Sequence, residues 1–263
     1  MNKEHFVFKN AQISYIYNTI HLNKPTIICL HGFLEHKAIF EFLYEDTYFC
    51  AYNILSIDLL GHYESDCIGF IHSMEDQAAM VYELIYQLGL KKVNLIGHSL
   101  GGYVSLAFLE LYPEIVNKVC LLNSTAKADS ESKKVNRARG IELVKKNAPI
   151  FIQMALANLF DEKTRLNHIT EIEDLKQIAL QSKTQGVIAN MQGMMNRKDR
   201  TFLLKQYSQK LFYIAGINDL IMSIADVRFE TLTNNIPLFD MEGYHMLWLE
   251  NPNEIKKILK DNL

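Results

Sequence analysis

Residues 95–102 read Leu95-Ile96-Gly97-His98-Ser99-Leu100-Gly101-Gly102, one serine framed by three glycines. Before them, 92–96 is a short apolar run; after them, 100–112 carries apolar residues at three- and four-residue intervals. The context reads strand, tight turn, helix, with Ser99 on the turn itself. A strand that turns directly into a helix forces the turning residue into an unfavourable conformation and presses its flanking positions against neighbouring backbone. Glycine at 97 and 101 removes the side chains that would collide there, and Gly102 lets the start of the helix press against the sheet. The pattern G-x-S-x-G lifts a serine hydroxyl clear at the top of a sheet. Over five residues, a glycine-rich turn with an incidental serine looks the same, so the rest of the chain decides.

Outward from the turn, strand and helix patterns alternate. β-rich runs at 5–9, 12–17, 25–30, 52–57, 92–96, 118–122, 210–215 and, more weakly, 236–239 are interspersed with helical patterns such as 74–88 and a terminal helix at 252–260. The first two runs predict a hairpin, and the later alternation predicts βαβ units in a mostly parallel sheet. Between Thr125 and Gln206 the alternation stops, and helical patterns at 135–146, 150–159 and 172–181 take its place. The expected organisation is one α/β core, residues 1–124 and 207–263, interrupted by a helical cap insertion at 125–206.

With 49% hydrophobic residues, 22% charged and five prolines, the chain is neither disordered nor a repeat array. No apolar stretch approaches the length of a membrane span, and MNKEHFVFKN lacks the apolar segment and cleavage site of a secretory signal, so a cytoplasmic protein is expected. Cys29, Cys50, Cys67 and Cys120 form no C-x-x-C pair and read as reduced core residues. The net charge of -3 hides an asymmetry: residues 126–206 hold fifteen Lys and Arg against nine Asp and Glu, a local +6 that leaves -9 on the remainder. Solvated helix faces account for such charges, and so does attraction of an anionic ligand. The acidic total and the absence of a matching module disfavour nucleic acid.

A serine hydroxyl is a poor nucleophile at neutral pH and needs a base, with a third group to orient that base. Of nine histidines, His245 stands in Gly243-Tyr244-His245-Met246, in a loop after the last strand run and before the terminal helix, where a base could reach back to the sheet top. His5, His21, His36, His72 and His168 read as surface residues, His31 and His62 as strand-end residues, and His98 as pointing away from the turn. Asp219 follows the 210–215 strand directly and is the candidate orienting carboxylate; Asp129, the first acid after the 118–122 strand, is a poor rival. The chain order is Ser99, Asp219, His245. Attack on a carbonyl also needs donors for the developing oxyanion: the backbone N–H of Leu100 is one candidate, and that of Phe33, after Gly32 in the loop following 25–30, is the other.

Five segments together resemble the α/β-hydrolase superfamily, in its branch of small capped serine esterases and acyl hydrolases: LHGF at 30–33, DLLGHYES at 58–65, GHSLGG at 97–102, GINDLI at 216–221 and GYHMLWLENP at 243–252. The match covers nearly all of the chain except 125–206. The resemblance implies an α/β-hydrolase fold, with an antiparallel start to a mostly parallel sheet, helices on both faces and a helical cap. It also implies a Ser99, Asp219, His245 triad, an oxyanion hole from Phe33 and Leu100, and no metal or organic cofactor. The chain departs from the family pattern in two places: it has Tyr63 where a second glycine is common, and Met222 and Ser223 where a proline often follows the acid. Serine rather than aspartate at 99 disfavours the dehalogenase and epoxide hydrolase branches.

Apolar residues near these motifs are candidate pocket residues, namely Leu34, Met154, Met191, Met195, Leu220 and Met246, with Phe33, Phe151, Met194, Ile221 and Trp248 beside them; helical spacing also accounts for most of them as core. Arg197, Asp199 and Arg200 read as structural, with Asp199 capping the next helix. The expected function is hydrolysis of a small, largely apolar carboxylic ester or thioester through an acyl-enzyme. The alternatives are a thioesterase or methyl esterase acting on an acyl chain linked to an acidic carrier protein, and a ligand sensor that keeps the triad and signals to a protein partner. The oligomeric state is left open by the sequence.

Overall fold

The computed structural model describes residues 1–263. Its centre is one eight-stranded sheet made of β1 (Asn2–Phe8), β2 (Ala11–Tyr17), β3 (Thr26–Leu30), β4 (Asn53–Ile57), β5 (Val93–His98), β6 (Val116–Leu122), β7 (Leu211–Gly216) and β8 (Leu238–Met241). The spatial order is β1-β2-β4-β3-β5-β6-β7-β8. β1 and β2 form the expected antiparallel hairpin, β2 runs antiparallel to β4, and every later pairing is parallel. β3, β4, β5 and β7 are buried along their whole length, as a sheet covered on both faces requires. Alternate residues of β3 serve the two faces: Ile28 and Leu30 enter the larger core, Ile27 and Cys29 the smaller.

The helices follow in chain order: α1 (Glu41–Tyr44), α2 (Met74–Gln87), α3 (Leu100–Leu111), α4 (Glu131–Ala157), α5 (Glu162–Asn167), α6 (Ile169–Leu180), α7 (Thr184–Met195), α8 (Thr201–Gln206), α9 (Ile224–Asn234), α10 (Leu247–Glu250) and α11 (Pro252–Asn262). α2 and α3 pack into the larger core and α11 into the smaller one. Ser73 starts α2 by accepting from the Asp76 N–H, one of the donors that a helix leaves unpaired.

Five helices, α4 to α8, lie between β6 and β7. The two patterns expected at 135–146 and 150–159 form the two arms of α4, which kinks at Asn147 (φ -159, ψ 88), two residues before Pro149. Proline cannot extend the hydrogen-bond ladder, and the Asn147 side chain restarts it by accepting from the Ile150 N–H at 3.1 Å. α7 has no counterpart among the helical segments picked out in the sequence. It seats its backbone directly on the core: a Cβ at Gly186 would meet the backbone of Gly61, and one at Gly193 the carbonyl of His72. Between them, Asn190 donates to the Leu60 carbonyl at 2.8 Å and accepts from Gln77 at 2.9 Å. Arg200 is buried between Glu75 (2.7 Å) and Glu110 (2.9 Å), and Asp199 accepts from the Thr201 N–H at 3.0 Å, so both serve the structural purpose expected of them.

Two expectations change, and the departure at Tyr63 takes a defined shape. His72, read as a surface residue, is fully buried, because α7 closes over its loop and its Nε2 takes the Ile68 N–H. Cys50 is exposed and Cys67 half-buried, whereas Cys29 and Cys120 are core residues whose thiols burial pushes up; all four are free. Tyr63 adopts a left-handed backbone, φ 41, without a glycine, and its ring receives the Lys37 ammonium at 5.0 Å from the centroid. No helix is long and apolar enough to cross a membrane.

Candidate active site

β5 ends at His98 and α3 starts at Leu100, so Ser99 alone makes the turn, at φ 50 and ψ -110. That conformation is strained for a side-chain-bearing residue and persists because its surroundings fix it. The Ser99 N–H donates to the Leu122 carbonyl at 3.0 Å, and Ser124 donates to the Ser99 carbonyl at 2.8 Å. A Cβ at Gly101 would be driven into the Leu30 carbonyl, and one at Gly97 into the backbone of Gly101. Their φ values are not left-handed, so these glycines supply space rather than conformational freedom. At Gly102 a Cβ would meet first the Ser124 side chain, two residues beyond β6, and then the Gly97 carbonyl of β5.

Asp219 lies three residues beyond β7, and His245 four beyond β8. His245 Nε2 is 3.0 Å from Ser99 Oγ, and His245 Nδ1 is 2.8 Å from Asp219 Oδ2. A carboxylate only accepts, so Nδ1 carries the proton and Nε2 offers its lone pair to the serine hydroxyl. Asp219 Oδ1 also accepts from the N–H groups of Ile221 (2.7 Å) and Met222 (3.0 Å), and Oδ2 accepts from Asn123 Nδ2 (2.8 Å). Burial alone would push the Asp219 carboxyl up, but His245, Met222 and Asn123 together outweigh it and hold it below the ordinary carboxylate range. Asn123, at φ 45, also donates to the Tyr244 carbonyl at 3.0 Å and so ties the acid loop to the base loop.

The N–H groups of Phe33 and Leu100 have no acceptor in the protein, whereas those of Gly32 and Ser99 just before them are bonded, to Glu35 and to the Leu122 carbonyl. Leu34 turns the first of these loops at φ 64. Behind it lies an arrangement not anticipated from the sequence. Glu35 Oε2 accepts from the Gly32 N–H at 2.5 Å and faces His98 Nδ1 at 2.9 Å; His98 Nε2 in turn faces the His245 carbonyl at 2.9 Å. Both partners of His98 are acceptors, so a doubly protonated ring satisfies both. Burial favours the neutral imidazole, but the charge and hydrogen bond of Glu35 and the His245 carbonyl outweigh it and raise His98. At Glu35, too, burial is outweighed, by the charge and hydrogen bond of His98 and by the Gly32 N–H, and its carboxyl is lowered. By contrast, His31 accepts the Leu59 N–H at 2.9 Å and burial pushes it down to about 3, so it stays neutral.

A cavity of about 500 Å³ opens above Ser99, lined mostly by apolar side chains. Phe33, Leu34, Leu220 and Ile221 come from the loops at the sheet top, Phe151 and Ala155 from α4, and Met191 and Met194 from α7. Three expected pocket residues lie elsewhere. Met154 is 54% exposed, on the solvent side of the α4 stripe formed by Phe151 and Ala155. Met195, the last residue of α7, is half-buried outside the cavity, and Met246 is fully enclosed in the core beneath the base loop. Trp248 is half-buried and also outside. Asp129 is taken up by Arg137 (2.5 Å) and Arg197 (2.6 Å). No three His, Cys, Asp or Glu side chains stand close enough to hold a metal ion.

Comparison with known proteins agrees with this architecture. A family model described as the alpha/beta hydrolase fold matches residues 25–144. A Bacillus subtilis (strain 168) protein, provisionally assigned as a 2-succinyl-6-hydroxy-2,4-cyclohexadiene-1-carboxylate synthase, is 38% identical over 101 residues; that segment covers 38% of this chain and 36% of the relative, so the match spans little more than a third of either. The solved structure of a thermophilic esterase from Thermogutta terrifontis is 26% identical, covers 99% of this chain and 97% of its own, and superposes with a TM-score of 0.86. The enol-lactonase from Burkholderia xenovorans LB400, at 16% identity, 98% coverage of both chains and TM-score 0.87, shares the fold. With its sheet order, its serine turn and a solved structure that aligns end to end, the chain has the α/β-hydrolase fold.

Proposed function

We propose that the protein is a serine hydrolase that cleaves a carboxylic ester or thioester with a small, largely apolar acyl group, with residues 125–206 acting as the cap over its site. The observation that carries this reading is the continuous hydrogen-bonded chain from Asp219 through His245 to Ser99, at the floor of an apolar cavity. The unpaired N–H groups of Phe33, on the loop after β3, and of Leu100, at the start of α3, lie beside it. In the reaction, Ser99 Oγ attacks the carbonyl carbon while its proton passes to His245 Nε2, and the carbonyl oxygen becomes an oxyanion facing the Phe33 and Leu100 N–H groups. The His245 imidazolium, held by Asp219, then gives its proton to the departing alkoxide or thiolate. Water, deprotonated by the same nitrogen, releases the acid and restores the serine.

The test is steady-state turnover of 4-nitrophenyl esters of increasing acyl length by the wild type beside Ser99→Ala. Expected is sustained nitrophenol release that falls by a factor on the order of 10³ or more in the variant. Equal rates in the two proteins, or a single stoichiometric burst with no turnover, would overturn the reading.

A further inference from the structure

The cavity above Ser99 carries more positive charge than its own residues balance. Lys133 and Arg137, one turn apart on α4, both line it. Arg137 gives its Nε to one oxygen of Asp129 at 2.5 Å, but the other oxygen of that carboxylate takes Arg197 Nη1 at 2.6 Å. One carboxylate therefore serves two guanidiniums, and the terminal amino groups of Arg137 make no hydrogen bond in the protein. Lys133 Nζ reaches only the Ile221 carbonyl, at 3.3 Å, and pairs with no acid. The two other carboxylates at the site are committed, Glu35 to His98 and Asp219 to His245. Partial burial, and repulsion from Arg197 and Arg137 against the pull of Asp129, hold the Lys133 ammonium below the ordinary lysine range, as befits a cation without a counter-ion.

A neutral ester would leave these donors as they are, and partly desolvated cations are ordinarily paired. We infer that the substrate carries an anionic group, a carboxylate, which docks between Lys133 and Arg137 while its ester carbonyl lies over Ser99. The inference rests on the serine hydrolase reading and names the class of ester within it: a half-ester of a dicarboxylic acid, if the carboxylate is on the acyl side, or the ester of a hydroxy acid, if it is on the leaving group. The remaining walls, Phe151, Met191 and Met194, accept the methylene chain between the two ends.

The experiment compares matched esters on wild type and on Lys133→Gln, an exposed position whose replacement does not disturb the core. Mono(4-nitrophenyl) adipate against 4-nitrophenyl hexanoate tests the acyl side, and 4-carboxyphenyl hexanoate against 4-acetylphenyl hexanoate tests the leaving group. The expected result is that the ratio of kcat/KM for the anionic over the neutral ester falls roughly tenfold in Lys133→Gln for one of the two pairs, as loss of a charge-assisted contact at a cavity rim implies. Arg139→Gln, on the same helix but outside the cavity, leaves that ratio unchanged. A ratio indifferent to Lys133 in both pairs overturns the inference while leaving the hydrolase reading intact. Should no ester be turned over, titration of Ser99→Ala with the same four compounds decides: roughly tenfold tighter binding of an anionic ester, removed by Lys133→Gln, supports the inference, and equal affinities refute it.

Discussion

Replacing Glu35 by glutamine keeps the shape of the side chain and removes its charge, and the outcome measures what the contact with His98 contributes. The two groups are 3% and 0% exposed and meet at 2.9 Å, so solvent screens them little. Glu35 is lowered, so its contribution is present above the unfolded carboxyl value near ~4.3 and is lost as pH falls through the depressed folded value. His98 is raised, so its contribution is full below the unfolded imidazole value near ~6.5 and fades as pH rises through the elevated folded value. Both act together between roughly pH 4.3 and 6.5. In the variant, one amide oxygen must serve both the Gly32 N–H and His98 Nδ1. Burial then drives His98 toward its neutral form, leaving one ring nitrogen without a proton opposite an acceptor. Removing one partner of a buried pair costs typically about 3–5 kcal/mol, and because the histidine can discharge, the lower end applies. The expected loss in unfolding free energy is about 3 kcal/mol near pH 5.5, shrinking toward about 1 kcal/mol near pH 9, by urea denaturation of both proteins at each pH. A difference below about 1 kcal/mol near pH 5.5, or one that does not change with pH, would refute the charged pair.

Ser99→Gly relieves the strained turn at φ 50 and is expected to be about 1–2 kcal/mol more stable than Ser99→Ala, while neither hydrolyses ester; equal urea midpoints would show that the turn stores no such strain. Asn123→Gly keeps the left-handed backbone at φ 45 but removes the bonds to Asp219 and to the Tyr244 carbonyl, so kcat for 4-nitrophenyl butyrate should fall roughly tenfold with KM little changed; a change confined to KM would mean that Asn123 does not position the acid.

Ser99, Asp219 and His245 stand out in the sequence because each follows a strand at its carboxyl end, with glycine nearby, and parallel strands collect those ends at one edge. The sheet itself was legible for the same reason, since strands covered on both faces read as unbroken apolar runs. β1 starts at Asn2 rather than near His5 because its first residues are exposed edge positions held by pairing with β2, where polar side chains leave no apolar signal. The Glu35–His98 contact joins residues 63 apart and was invisible, because neither residue announces its burial: His98 is placed by the turn next to it and Glu35 by the left-handed Leu34 before it. Met154 failed for a finer reason. Its spacing from Phe151 fits one face of α4, but the cavity touches only part of that face, and a periodicity cannot say how wide the contacted stripe is.

The seating of α7 on Gly61 and His72 also bears on how such a pocket can change. Gly186 and Gly193 are two turns apart and bring that side of the helix backbone against backbone, with the Asn190 side chain between them fixed by its bonds to Leu60 and Gln77. The opposite side presents Met191 and Met194 to the cavity. A substitution at either methionine should therefore register in the shape of the cavity itself instead of being absorbed by a displaced helix. α4, seated only through side chains such as Ile141, Val144, Ile152 and Leu156, has the slack to give way. The two walls thus offer different routes to altered selectivity: side-chain exchange on a fixed rail at α7, and displacement of a whole helix at α4.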